Sequence, residues 1–353
     1  MAGSSVARNK VPRWASVDGI QWPVRLSLEQ CSSEAAACYK VSLAERIPRQ
    51  ERVRFVDLTG GMGVDFSFLA PLFSESLYVE RDAELCRLAR HNFPLLGLQS
   101  VTYSERTSEE MLTQLCDTLS PSTLCFIDPA RRDATGHKVV GLKDCSPDVT
   151  QIVPQLIRRG ARIMIKLSPM LDITAALHAL PGEWEVHVVS VDGECRELLL
   201  VSGCRGIHAV DIQHGVVRDF CPDEASLRTS SPTWATDVLQ YLYEPSASVL
   251  KANLQNALPG SKLSASSHLF TSSTLIEDFP GRTFRVEDVS GFSKAEIKRI
   301  LHGIDKANLT VRGFPMSVAA LRRKLNLPEG GDTYLFAATL SDKSHVLIKC
   351  SKI

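Results

Sequence analysis

The stretch Phe55-Val-Asp-Leu-Thr-Gly-Gly-Met-Gly-Val-Asp-Phe66 decides how this chain folds. It begins with apolar residues typical of a strand, passes through three glycines within four positions, and continues into an apolar segment that can start a helix. Glycines at such a turn let backbone amides approach a ligand closely, because no Cβ stands in the way. The dinucleotide fingerprint requires a third glycine three positions after the second. Phe66 occupies that position, so the turn does not fit a nicotinamide cofactor.

An acidic residue follows at the spacing expected of a doubly wound fold. Ser76-Leu-Tyr-Val-Glu80 predicts a second short strand that ends in a carboxylate. In such folds an acidic residue at this point hydrogen-bonds the ribose hydroxyls of a bound nucleoside. We therefore predict that Glu80 is the ribose ligand, with Asp82 as the alternative.

With Asp57 before the turn and three glycines within it, the stretch resembles motif I of class I S-adenosylmethionine (SAM) methyltransferases. The resemblance implies SAM as the cofactor. The residues we assign to its binding site come from the turn, from the end of the second strand and from a helix start described below. They are Asp57, Thr59, Gly60, Gly61, Gly63, Asp65, Glu80, Ser33 and Glu34.

Segments of strand and helix character alternate between residues 52 and 201, which indicates a parallel sheet with helices on both faces. We predict strands at 55–58, 76–80, 100–104, 123–127, 162–166, 185–191 and 198–202. Helices are predicted near 65–73, 82–93, 108–118, 148–158 and 172–180. The fold class is therefore α/β, with a Rossmann-like sheet of seven strands whose last pair is antiparallel, as in class I methyltransferases.

The fourth predicted strand ends in Phe126-Ile-Asp-Pro-Ala-Arg-Arg-Asp133, at the edge where such sheets bind ligands. Methyl transfer from a sulfonium depends mainly on placing the acceptor in line with the methyl group. A carboxylate and a fixed backbone carbonyl can accept the N–H groups of an amine and aim its lone pair. We assign this catalytic role to Asp128 and the Pro129 backbone, assisted by Arg131. With Arg132, Arg131 is suited to hold a phosphate or an electron-rich base edge. A surface turn with solvated arginines is the alternative.

Further polar residues are expected around the same edge of the sheet. Ser32 or Ser33 can cap a helix whose apolar positions recur at helical spacing, and its start can lie across a nucleoside pocket. A helix that only packs against the sheet is equally compatible with this pattern. Lys166 and Ser168 follow the fifth strand, and Glu194 lies in the turn before the last strand. The candidates to face the pocket from the helix are Gln30, Ser32, Ser33, Glu34 and Lys40, and those near the acceptor are Arg132, Lys166, Ser168 and Glu194.

Several motifs in one order make the resemblance more specific. Leu28-Glu-Gln-Cys-Ser-Ser-Glu34, the motif I stretch, Ile127-Asp-Pro-Ala-Arg-Arg-Asp133, Ile165-Lys-Leu-Ser-Pro-Met-Leu-Asp172 and Glu194-Cys-Arg-Glu-Leu198 resemble a bacterial class I SAM-dependent methyltransferase family. Members of that family carry a ferredoxin-like module and a C-terminal THUMP-like domain. The resemblance implies RNA, tRNA or rRNA, as the methyl acceptor. A guanine exocyclic amine is one possible acceptor, although Ala130 and Arg131 replace the proline and aromatic residue of related amine methyltransferases.

Length and composition agree with a protein of several domains. The predicted divisions are an N-terminal arm and helix (1–50), the methyltransferase domain (51–205), a strand pair and linker (206–237), the ferredoxin-like module (238–282) and the THUMP-like domain (283–353). From Lys251 onward there are 15 Lys and Arg against 9 Asp and Glu, although the whole chain is neutral. Such a basic tail suits an anionic partner such as RNA, and a solvated surface is the alternative. Its candidate RNA contacts are Lys306, Arg312, Arg322, Arg323 and Lys324.

The ten cysteines are scattered, without a C-x-x-C pair and without histidines at ligand spacing. This usage is typical of a reducing compartment and predicts neither a disulfide scaffold nor a metal site. No apolar run has membrane-spanning length, so a cytoplasmic protein without a membrane partner is expected. Two other functions remain open: an RNA-binding protein whose SAM fold is catalytically idle, and a small-molecule methyltransferase.

Overall fold

The structure is a computed structural model that describes residues 8–23, 30–115, 117–130, 141–223, 226–227 and 233–353. The chain divides into two compact units, Met1–Val217 and Arg218–Ile353, which are described separately below. Among the described residues no helix combines the length and apolar character needed to cross a membrane. The nine described cysteines are all free thiols.

Unit 1 is built on a nine-stranded sheet with the order β3-β2-β1-β4-β5-β7-β6-β8-β9. Strands β1 to β5 run parallel, and β7 is antiparallel to both β5 and β6, as predicted. The strands are β1 Arg54–Asp57, β2 Glu75–Val79, β3 Val101–Ser104, β4 Thr123–Ile127, β5 Arg162–Leu167, β6 Trp184–Val191, β7 Glu194–Ser202, β8 Gly206–Gln213 and β9 Val216–Phe220.

Two strands extend the sheet beyond the seven that the sequence predicts. The hairpin around His214 and Gly215 was predicted as a separate strand pair, but β8 pairs in parallel with β6 and so joins the methyltransferase-type sheet. The first seven strands keep the predicted order.

Helices connect these strands and are capped by side chains close to the predicted boundaries. Ser33, Asp82, Asp148 and Asp172 accept backbone N–H bonds at helix starts, which satisfies amides that have no partner within the helix. The helices of unit 1 are α1 Pro12–Ala15, α2 Glu34–Glu45, α3 Val64–Leu69, α4 Ala83–Leu95, α5 Ser108–Leu115, α6 Val149–Arg158 and α7 Ile173–Ala179.

Aromatic side chains fill the space between the glycine turn, α3 and α4. The rings of Phe66 and Phe93 stack at 5.0 Å between centroids, and Tyr78 meets both rings edge-on. Trp14 of the N-terminal arm packs edge-on against Phe93 and donates its indole N–H to the Ser67 hydroxyl at 2.9 Å. The arm is therefore docked on the domain through its tryptophan.

Unit 2 contains an eight-stranded sheet with the order β10-β12-β13-β11-β14-β17-β16-β15. Leu242, Phe284, Phe336 and Ile348 are buried in one of its apolar clusters, and a second cluster forms under its two longer helices. The strands are β10 Thr233–Trp234, β11 Tyr241–Pro245, β12 Ser261–Lys262, β13 Phe270–Ser272, β14 Gly281–Ser290, β15 Asn308–Arg312, β16 Thr333–Thr339 and β17 His345–Lys352. Its helices are α8 Ala247–Lys251, α9 Lys294–Ile300 and α10 Val318–Leu325.

Candidate active site

The glycine turn between β1 and α3 is fixed by the aromatic layer beneath it. Gly63 has a φ of +84°, and a Cβ on it would lie 2.5 Å from the Phe93 ring. A Cβ on Gly60 would overlap the Tyr78 ring, whose hydroxyl donates to the Gly61 carbonyl at 2.5 Å. Glycine is required here because the backbone sits directly on buried rings, and the opposite side of the turn is left to line a cavity.

Glu80 follows β2 and lies against this turn. One carboxylate oxygen accepts the Gly61 N–H at 2.7 Å, and the other accepts the Asp82 N–H at 2.8 Å. Each bond uses one of the lone pairs of its oxygen, so both oxygens keep acceptor capacity. The carboxylate is therefore held in one orientation at the wall of the cleft and can still accept hydroxyl donors.

Asp57 lies beneath the turn at the end of β1 and is 1% exposed. Burial raises its pKa well above the usual range, and the neighbouring carboxylates of Asp65, Asp128 and Glu80 raise it further, although the Thr59 N–H that it accepts at 2.9 Å opposes the shift. The Thr59 hydroxyl in turn accepts the Asp128 N–H at 2.6 Å. Thr59 thus joins the ends of β1 and β4.

Asp128 and Lys166 form an ion pair at the ends of β4 and β5. Burial disfavours the charged form of Lys166, but the attraction of Asp128, Asp65 and Glu197 outweighs it and raises the pKa of Lys166 above its ordinary value. The lysine is 12% exposed and the aspartate 35%, so the carboxylate is the more accessible partner. Lys166, predicted near the acceptor, is therefore paired with the proposed catalytic carboxylate.

A second buried lysine connects α2 to the sheet. Lys40 is fully buried and contacts Asp65 at 3.0 Å and Glu197 at 2.6 Å. Burial raises the pKa of both acids, and Lys40 lowers it. The net result is a lowered pKa for Asp65, which also accepts a hydrogen bond from the Ser32 hydroxyl at 2.6 Å. For Glu197 the net result is a raised pKa. One cation therefore stabilises two carboxylates behind the glycine turn.

These elements surround a cleft of about 1000 Å³ at the carboxyl ends of the parallel strands. A smaller cavity of about 40 Å³ lies directly against the glycine turn. The predicted residues that line the cleft are Ser33, Thr59, Gly61, Glu80, Asp128, Pro129, Lys166 and Ser168, together with Gln30 and Ser32. Those that line the smaller cavity are Asp57, Thr59, Gly60, Gly61, Gly63, Asp65 and Asp128.

Three predicted residues lie elsewhere, and one of them is Lys40, which is buried behind the glycine turn. Glu34 accepts the Arg13 N–H at 2.7 Å and so fastens the N-terminal arm instead of lining the cleft. Glu194 is exposed at the β6–β7 turn and pairs with Arg196 at 2.8 Å, whereas Glu197, which follows a register shift in β7, lines the cleft. Arg131 and Arg132 lie outside the described residues.

Sequence reasoning missed other residues of the cleft wall. Arg81 follows β2, Arg106 and Thr107 follow β3, and Asp192 follows β6. The positional rule that indicated Glu80 and Asp128, namely that ligands meet the loops after parallel strands, would also have indicated these positions.

The candidate RNA contacts in unit 2 fall into two groups. Arg312 donates to the buried carboxylate of Glu244 at 2.8 Å, and Arg322 donates to the carbonyls of Ala307 and Leu327 at 3.3 and 3.2 Å. These two guanidinium groups are held by internal acceptors. Lys306, Arg323 and Lys324 have exposed side chains.

The strand order with an antiparallel β7, the glycine turn and the cleft at the strand ends define a class I methyltransferase-type domain. Two family models match unit 2: a ferredoxin-like domain matches residues 241–280, and a THUMP domain-like model matches residues 281–352. No curated protein matches the chain.

A solved structure from Porphyromonas gingivalis W83, of a protein assigned as a methyltransferase, is similar over both units. It is 32% identical with a TM-score of 0.86, and the match covers 99% of this chain and 88% of that one. The chain therefore belongs to the same family, the class I methyltransferases that carry ferredoxin-like and THUMP-like domains. This confirms the family resemblance predicted from the sequence.

More distant structures resemble only about half of the chain. The Escherichia coli protein yhhF, also assigned as a methyltransferase, is 14% identical with a TM-score of 0.35, and the match covers 49% of this chain and 88% of that one. A SAM-dependent methyltransferase from Agrobacterium tumefaciens is 14% identical with a TM-score of 0.35, covering 53% and 58%. Likenesses at this level carry no argument about function.

Proposed function

We propose that this protein is a SAM-dependent methyltransferase that modifies a base of RNA, with an exocyclic amine as the acceptor. The observation that carries the proposal is the cleft at the carboxyl ends of the strands, which is lined by the glycine turn, Glu80 and Asp128 together. Nucleoside cofactors bind at this edge in doubly wound sheets. Family membership supports the same reaction class.

The residues present fit SAM in three respects. The glycine turn lies directly on the Tyr78 and Phe93 rings, where a Cβ would clash, and its other side lines a cavity at the cleft. Glu80 is oriented by two backbone amides and retains lone pairs for ribose hydroxyls. The volume of about 1000 Å³ accommodates a nucleoside cofactor together with an acceptor base. When bound, SAM supplies a methyl group already activated by its sulfonium.

Asp128 and Pro129 are the proposed catalytic residues. Lys166 pairs with the Oδ2 atom of Asp128, which leaves Oδ1 available to accept an N–H of the acceptor. The Thr59 hydroxyl fixes the backbone at Asp128, so the carboxylate and the following carbonyl are held in a defined orientation. Orienting an amine lone pair in this way lowers the barrier by positioning, without acid or base catalysis of the transfer itself.

RNA is the proposed acceptor because of unit 2. Its C-terminal part matches a THUMP-like domain, and positive charge is in excess from Lys251 onward. Lys306, Arg323 and Lys324 have exposed side chains that are suited to phosphate contacts. Arg312 and Arg322 contribute to the fold of unit 2 through their internal acceptors.

Cofactor binding is tested by thermal unfolding with S-adenosylhomocysteine. A ligand that binds only the folded state raises Tm by mass action. We expect a rise for the wild type and none for Glu80→Ala, whereas Glu75→Ala, an exposed acid at the other end of β2, should behave as wild type. Absence of any rise at millimolar ligand would contradict the proposed enzyme and favour an idle RNA-binding fold.

Transfer is tested by nucleoside mass spectrometry of RNA from a deletion strain, followed by methylation of that RNA with purified protein. Asp128→Ala should keep the Tm rise and lose methyl transfer. Glu109→Ala, which removes a carboxylate from the same cleft, should retain transfer. Turnover by Asp128→Ala would remove Asp128 from the mechanism, and methylation of small molecules alone would contradict RNA as the acceptor.

A further inference from the structure

Three metal-ligand side chains meet on the sheet of unit 1, away from the cleft. Glu185 and His187 lie on the same face of β6, and His208 lies on the neighbouring strand β8 in register with His187. One ligand atom from each side chain lies within 4.8 Å of the others. The sequence predicts no metal site because its histidines lack ligand spacing along the chain, whereas these residues are brought together by strand register.

The two ligands on β6 are already spaced for a metal ion. His187 Nε2 lies 3.4 Å from Glu185 Oε2. Two ligand atoms about 2.0–2.1 Å from a tetrahedral zinc ion are roughly 3.3 Å apart. His187 is fully buried and Glu185 is 9% exposed, so the spacing is set by the packing of β6.

Hydrogen bonds hold both of these side chains in the structure. The Tyr39 hydroxyl lies 2.9 Å from His187 Nδ1, the nitrogen that faces away from Glu185. The Arg46 guanidinium donates to the two oxygens of Glu185 at 2.7 and 2.9 Å. The contact at His187 Nδ1 is of the kind that orients metal-binding histidines, whereas Arg46 occupies the carboxylate oxygens that an ion would need. Tyr39 lies on α2, and Arg46 is the residue that follows its end.

The third ligand and the entry path lie on the more exposed side. His208 is half-buried, and its ring stacks on His187 at 4.5 Å, so it must turn toward the shared space to complete the site. Gly206 leaves room for this movement, because a Cβ there would lie 3.3 Å from His208 Nε2 and 3.9 Å from Glu185 Cγ. The Arg46 side chain is 51% exposed and can withdraw from Glu185.

We propose that Glu185, His187 and His208 bind one divalent transition-metal ion of the zinc type, with solvent as the fourth ligand. Two imidazoles and one carboxylate form a donor set that zinc accepts. The ion joins β6 to β8 beneath α2, and it competes with Arg46 for the carboxylate. The site lies near the start of β6, whereas the cleft is lined by the other end of that strand, so its role is to stabilise unit 1.

The test is a Co²⁺ titration of the full chain after removal of metals with a chelator. We expect saturable binding of one ion with visible d–d absorption, reversal by Zn²⁺, and a Tm that rises with Zn²⁺. His208→Asn should weaken Co²⁺ binding by more than about 10- to 100-fold. Loss of an outer-shell hydrogen-bond partner already weakens metal binding by that factor, and His208 is a proposed ligand itself. His214→Asn, an exposed histidine beyond the same strand, should match the wild type.

Arg46→Gln separates the proposal from a general loss of structure. Removing the competing guanidinium should lower the Kd for Co²⁺, an effect that misfolding cannot produce. An unchanged or weaker affinity of Arg46→Gln would overturn the proposed site, as would equal binding by wild type and His208→Asn. A strong near-ultraviolet cobalt–thiolate band would also overturn it, because it would place the ion on cysteines.

Discussion

Asp57 carries its carboxyl group buried beneath the glycine turn, with a pKa raised well above the usual range by burial and by neighbouring carboxylates. Between its ordinary pKa of about 3.8 and the raised value, the unfolded chain has released the proton that the folded chain still holds. The free energy of unfolding of unit 1 therefore falls as pH rises through this window.

Asp57→Asn should remove this fall, because the amide does not ionise and its oxygen can still accept the Thr59 N–H. Urea unfolding at a series of pH values measures the slope. We expect the variant to be flatter above pH 4 and more stable at neutral pH, while S-adenosylhomocysteine binding weakens. An unchanged slope would show that Asp57 ionises normally in the folded state.

Gly61 and Gly63 both have positive φ but differ in their surroundings. A Cβ on Gly61 would be 3.6 Å from the nearest atom, the Thr59 carbonyl oxygen, whereas a Cβ on Gly63 would be 2.5 Å from the Phe93 ring. Gly61→Ala should therefore cost only the backbone term, about 1 kcal/mol. Gly63→Ala adds overpacking of about 1–3 kcal/mol. Urea unfolding of the pair measures the difference, and equal losses would contradict the role of Phe93.

At the scale of single residues, the sequence predicted the cleft residues that directly follow a strand. Glu80 and Asp128 were predicted from position, since each ends a parallel strand. The contacts of Lys40 with Asp65 and Glu197 could not be predicted, because they depend on how α2 crosses the sheet. Glu194 was preferred to Glu197 because the sequence does not show which side chains of the hairpin turn inward.

The start of α2 combines a structural role with a position in the cleft. Ser33 accepts the Ala36 N–H at 3.3 Å as the N-cap, and it also lines the cleft. Ser33→Ala should cost about 1 kcal/mol of stability. Ser33→Asp should restore the cap while placing a charge in the cleft. If Ser33 also contacts the cofactor, the Kd for S-adenosylhomocysteine changes in both variants; a change in stability alone would limit Ser33 to capping.

Lys40 joins three elements, since it extends from α2 to Asp65 on α3 and Glu197 on β7. Lys40→Met should destabilise unit 1 by about 3–5 kcal/mol, because it leaves buried carboxylates without their cation. Urea unfolding gives the measurement. Arg87→Met, which breaks an exposed ion pair with Glu84, is the control and should change little. A loss of similar size in both variants would contradict the burial argument.

The strands and helices of unit 1 were predictable where buried parallel strands alternate with connecting helices. Strands that are covered on both faces appear as continuous apolar runs, and the helices between them begin at recognisable caps. The place of β8 was not predictable, because pairing of β8 with β6 is a long-range choice of register that the local pattern of the β8–β9 hairpin does not encode.

At the scale of the whole molecule, the total charge is zero but the charges are unevenly distributed along the chain. Positive charge is in excess from Lys251 onward, within unit 2, and the rest of the chain carries the matching excess of acidic residues. Counting the charged residues along the sequence is enough to show this uneven distribution. It did not reveal which cations are exposed, because Arg312 reaches Glu244 on a strand distant in sequence.

The salt dependence of RNA binding by the full chain tests this distinction. Each phosphate contact contributes about 0.7 to 0.9 to the slope of log Kobs against log salt concentration. Replacing the exposed residues Lys306, Arg323 and Lys324 with glutamine should lower the slope by roughly 2–3 if each contacts a phosphate. Arg312→Gln should instead destabilise unit 2, because it leaves Glu244 with less positive charge, and should leave the slope of the folded protein unchanged. A slope that responds to Arg312→Gln and not to the triple variant would place the RNA contact at Arg312 instead.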